Sequence, residues 1–184
     1  TFRTLKANEI DCRIATINQK GLSLLLYKDA RVDQNILDET VGCMNWQRKH
    51  CRENANCIVF IWDESKKQWI EKEDTGTESF TEKEKGIASD SFKRACFNWG
   101  IGRELYYSPK IWINATSDNT TSARYSVKVI EYDDKKRITR LVIINDKTKE
   151  VVFLFGKEQK TAQNGENAPK NPSESANEPK GSVD

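Results

Sequence analysis

Between Thr77 and Tyr107 the chain reads TESFTEKEKGIASDSFKRACFNWGIGRELYY, and the residues there that could do chemistry are Lys85, Lys93 and Arg94, with Phe97 and Asn98 beside them. Lysines and arginines held on a fixed ridge bind phosphates and release the counterions condensed on them. A ring within such a strip can stack on bases without reading their sequence. The bland reading of the same strip is a solvated helix face.

The strip needs a helix to carry it. Thr81 and Glu84 have capping-box spacing, which predicts a helix starting near Glu82. Ala88, Phe92, Ala95, Cys96 and Trp99 then recur at offsets of four, three, one and three, a stripe that faces a core. Gly100 and Gly102 stop it. Upstream, Gly21 precedes LSLLLY, an apolar run of strand length. Asp29 is placed to cap ARVDQNILDETVG, where Val32, Ile36, Leu37 and Val41 share one face.

After Gly42, residues 46–52, 57–62 and 68–75 read as three strands joined by polar breaks at 53–56 and 63–67. Downstream of the long helix, 125–132, 138–145 and 151–155 read as a three-stranded meander with DDKKR and DKTKE turns. Residues 7–17 read as a short helix. Beyond Gly156 the chain has almost nothing to bury, which predicts a disordered tail whose removal leaves fold and assembly intact. The expected fold is α+β: strand and helix, then a three-stranded antiparallel sheet packed on a long helix, then the meander. Residues 1–156 would form one domain and 157–184 the tail.

The formal net charge is only +2 over 184 residues; residues 157–184 hold four Lys and five acids, which leaves +3 for residues 1–156. Affinity for a polyanion must therefore come from local clustering of cations. No apolar run reaches membrane-span length and no signal-peptide pattern is present, so no membrane partner is expected. Five cysteines at irregular spacings argue for reduced thiols in a cytoplasm.

Cys43, His50, Cys51 and Cys57 lack the paired CxxC knuckle of a zinc site. Asp63, Glu71, Glu73, Asp74 and Glu78 show no ordered carboxylate and lysine arrangement of a nuclease. With one histidine, no Ser/His/Asp pattern and no P-loop, neither an enzyme nor a metal or other cofactor is expected.

The element order, together with LLLYKDARVDQNILDETVGCMNW, EKEDTGTES and EKEKGIASDSFKRACFNWGIGRELY, resembles the annealing domain of the Rad fifty-two / Rad twenty-two recombination family. The likeness is to its bacteriophage and prophage members above all, and it covers residues 21–109. It implies single-stranded DNA bound in a groove around an oligomer, ring or filament, and paired with a complementary strand without nucleotide hydrolysis, in recombination or repair.

By the same resemblance, Arg31 in DARV and Lys93 and Arg94 in FKRA fall where the family places backbone-binding cations, and Lys85 occupies another commonly basic position. Arg103, just past the helix stop, is a secondary DNA contact or a bridge between subunits. Where some members carry a further arginine this chain has Phe97, which either stacks on bases or packs between subunits. The implied partners are single-stranded DNA, further copies of the chain and single-strand-binding or other recombination proteins, in a bacterial host cytoplasm. Trp46, Trp62, Trp69, Trp99 and Trp112 fall on strand or helix faces and none is assigned to DNA. The alternative on the same scaffold is a non-annealing single-strand binder or structural oligomer.

Overall fold

In the computed structural model the described residues are 1–77 and 83–156, without the side chains of 83–85. The expected cap at Thr81 and Glu84 and the expected tail lie outside them. The described elements begin with β1 (Asp11–Asn18), β2 (Gly21–Tyr27), α1 (Ala30–Val41), β3 (Trp46–Cys51), β4 (Asn56–Asp63), β5 (Gln68–Thr75) and α2 (Lys83–Asn98). They continue with a 3-10 turn (Arg103–Tyr107), β6 (Ile111–Asn114), β7 (Tyr125–Tyr132), β8 (Ile138–Asn145) and β9 (Val151–Phe155).

Alternation decides how β2 sits. Leu22, Leu24 and Leu26 are buried while Leu25 and Tyr27 are exposed, the period of a strand with one face on a core. β2 lies within a six-stranded antiparallel sheet of order β6-β2-β1-β7-β8-β9. Its two edge strands bring Cα atoms within 8 Å of each other without forming a ladder, so the sheet curls on itself. Gly21 is where β6 comes closest: a Cβ there would stand 2.2 Å from the Ile113 carbonyl oxygen.

The expected helix over 7–17 is not found. Only Ala7–Glu9 makes a 3-10 turn, and β1 follows. Ile10, Cys12 and Ile14 alternate with Asp11, Arg13 and Ala15, a period of two that a strand satisfies. The hairpin to β2 secures that outcome, since the Asn18 side-chain oxygen accepts from the Lys20 and Gly21 N–H groups at 2.8 and 3.2 Å.

The second sheet is β3-β4-β5, all antiparallel, and α2 lies on it. Cys57, Val59 and Ile61 of β4 and Phe92, Ala95 and Cys96 of α2 are buried in one cluster. Trp46 stacks on Phe92 with centroids 6.1 Å apart, and the Trp99 indole N–H donates to the Val59 carbonyl at 3.1 Å. α1 packs on α2 and fully buries Ile36 and Leu37, after Asp29 has capped it by accepting from the Arg31 N–H. The core is continuous from this layer into the curled sheet.

α2 ends at glycines in the left-handed region, Gly100 at φ +95° and Gly102 at φ +75°. At Gly102 a Cβ would also come 2.3 Å from Lys28 Cε. Gly102→Ala is therefore expected to cost more than about 1 kcal/mol of stability, read as a lower denaturant midpoint at unchanged slope.

Candidate nucleic-acid interface

Because α2 turns Phe92, Ala95 and Cys96 inward, Lys93, Arg94 and Phe97 are left facing β1 and β2 across an open cleft of about 920 Å³. Among the described residues five basic ones line it: Arg13 from β1, Lys28 just past β2, Lys93 and Arg94 from α2, and Lys110 just before β6. Leu25, Tyr27, Phe97 and Tyr106 supply apolar surface between them. Among the described residues one acid, Asp90, shares the lining and accepts from the Thr77 N–H at 2.9 Å.

The cations differ in how tightly they are held. Lys93, Arg13 and Lys110 have no ion pair among the described residues. Arg94 reaches Asp74 of β5 at 3.4 Å with its side chain 44% exposed, a pair weak enough to exchange for a phosphate. Asn98 donates to the Glu73 carbonyl at 2.9 Å and to Asp74 at 3.3 Å. Lys72 of β5 donates back to the Asn98 carbonyl at 2.9 Å, pinning the end of α2.

Arg31 stands at the start of α1 with its side chain 84% exposed and its Nε 3.1 Å from Asp29. It does not line the cleft. Asp29 connects the two places: its carboxyl lies below the usual range, first through the Arg31 N–H, then through the Arg31 guanidinium, with Lys93 adding its pull.

Beneath the cleft sits an ion pair that the sequence reading missed. Lys28 Nζ donates to both oxygens of fully buried Asp33 at 2.5 Å. Burial pushes the Asp33 carboxyl up to about 6 against the pull of Lys28 and, more weakly, Lys93. Lys28 is thus answered from within and offers less charge to the cleft than Lys93. The available signal was position: Asp33 lies three and four residues before Ile36 and Leu37, on the stripe that goes into the core.

Arg103 is placed otherwise. Its Nε and Nη2 donate to the Phe97 and Asn98 carbonyls at 2.8 and 2.9 Å, groups left open at a helix C-terminus where positive charge is favoured. It lines a second cleft of about 650 Å³ with Trp99, Tyr107, Lys135, Lys136 and Arg137. The Lys85 side chain lies outside the described residues.

Thiols and carboxylates elsewhere have structural surroundings. Burial pushes the Cys57 thiol up to about 11 and Cys96 well above its ordinary value, so both are protonated at neutral pH. His50, opposite Cys57 in the β3-β4 ladder, is held below its usual value by burial. Asp63 accepts from Ser65 Oγ and the Lys66 N–H in the β4-β5 turn, and Glu73 accepts from Asn56. Among the described residues no cluster of three or more His, Cys, Asp or Glu is placed to hold a metal ion. No described helix is long and apolar enough to cross a membrane. Comparison with protein-family models, with curated proteins and with solved structures finds no match to this chain.

Proposed function

We propose that the protein binds single-stranded DNA in the cleft between α2 and β1-β2 and anneals it to a complementary strand, as an oligomer and without nucleotide hydrolysis. The carrying observation is convergence: Arg13, Lys28, Lys93, Arg94 and Lys110 come from separate elements to one open cleft whose remaining lining is largely apolar and aromatic. Cations without a base-specific clamp hold a backbone and leave pairing edges free. The resemblance over residues 21–109 to the annealing family supports the same reading. Arg31 extends the basic surface beyond the cleft toward α1, and Arg103 extends it toward the second cleft.

Assembly is supported by β9, an edge strand among the described residues whose Val151, Leu154 and Phe155 stay exposed, a surface that pairing with another chain would cover. Further copies would align their clefts into one continuous groove. A strand spread along it would sample homology against a second strand, with base pairing as the driving force and offset phosphate repulsion as the protein's contribution.

The test is pairing of two complementary oligonucleotides in excess chelator, without nucleotide, at fixed monovalent salt. The expected result is a rate above the protein-free one. Binding with no acceleration would leave only a single-strand binder, and dependence on ATP hydrolysis or strand cleavage with metal would place the protein among enzymes.

A further inference from the structure

Tyr106 is the most open of the rings that line the cleft, 69% exposed against 40% for Tyr27. It is also braced. The Phe97 centroid lies 4.3 Å away at a tilt of 47°, and the Arg103 guanidinium stands 5.4 Å over Phe97. Arg103 is itself fixed by the Phe97 and Asn98 carbonyls. The tyrosine rides on the turn Arg103–Tyr107, which begins from the left-handed Gly102, so its place is set before any ligand arrives. Lys93 and Arg94 lie four and three residues before Phe97, about 5–6 Å away on the helix surface.

We propose that Tyr106 is a stacking platform for a base of the strand whose phosphates rest on Lys93 and Arg94; this rests on the reading of the cleft as a single-strand groove. Charge complementarity selects a polyanion, and the ring selects what a bare polyanion lacks, a flat π face. A duplex keeps its base faces inside its own stack, so an unpaired strand is the occupant that can give one to Tyr106. Stacking covers the face of a base and leaves its pairing edge open, as a strand awaiting its complement requires. Phe97 then acts as the support beneath Tyr106.

The experiment measures binding of the full chain to a labelled oligothymidylate and to an abasic deoxyribose-phosphate oligomer of equal length. Wild type is expected to prefer the base-bearing strand by about 5- to 150-fold per stacked base. Tyr106→Ala should lose that preference while keeping its affinity for the abasic strand, its oligomer size and its melting temperature; Tyr106→Phe should keep the preference. Wild type binding both strands alike, or Tyr106→Ala weakening both equally, would overturn the platform and leave the single-strand reading standing. Wild type binding neither would remove that reading and the platform with it.

Discussion

Replacing Lys93 and Arg94 together by Ala is expected to weaken single-stranded DNA binding by a similar factor for every sequence and to flatten its salt dependence. Both residues line the cleft, and among the described residues Lys93 has no ion pair and Arg94 has only the exposed contact to Asp74. On single strands each phosphate contact contributes a slope of about −0.7 in log K against log salt, so two lost contacts should reduce it by about 1.4 per protomer engaged. Arg31→Ala should do less, because Arg31 sits outside the cleft and beside Asp29. Titrations of the folded double variant at several salt concentrations decide the matter. Unchanged affinity and slope would sink the assignment of these two residues.

What could be read from sequence alone follows the range of the interactions involved. β5 and β7 to β9 have the expected bounds, because each is an alternating or apolar run closed by polar turns, and a neighbouring hairpin strand completes it. Lys93 and Arg94 were legible as a ridge because α2 is a local element whose apolar stripe fixes the opposite face. β1 was misread: its alternation runs only as far as Ala15 and the rest of it is exposed, and pairing with β2 and β7 makes the whole of it a strand. β6 is four residues long, too short to carry a period, and the β2 edge organises it. For the same reason Arg13, Lys110 and Tyr106 showed no site in the sequence. Only sheet topology and the Gly102 turn bring them to the face of α2.

The Lys28–Asp33 pair leads to the largest expected change in stability. Asp33→Ala at neutral pH should cost about 3–5 kcal/mol, the range for removing one partner of a buried pair, because Asp33 is fully buried and each of its carboxylate oxygens accepts from Lys28. Burial nevertheless costs the ionised carboxyl more than Lys28 returns, which is why its value rises from 3.8 to about 6. The folded chain therefore binds more protons than the unfolded chain between those values. This contribution to stability is fully present below about 3.8 and is lost as pH rises through about 6. A protonated Asp33 still fills its site and accepts from the ammonium, whereas an alanine does neither. The double variant Lys28→Met/Asp33→Leu, of similar shape and with no buried charge, should recover most of the loss and show no such pH dependence. Its DNA affinity should fall by less than that of the Lys93→Ala/Arg94→Ala variant, since the Lys28 charge in the cleft is already answered by Asp33. Denaturant unfolding of the three proteins between about pH 4 and pH 7 tests the linkage. A single variant losing under about 1 kcal/mol, or a double variant as unstable as the single one, would show that the pair is not the buried support of this cleft.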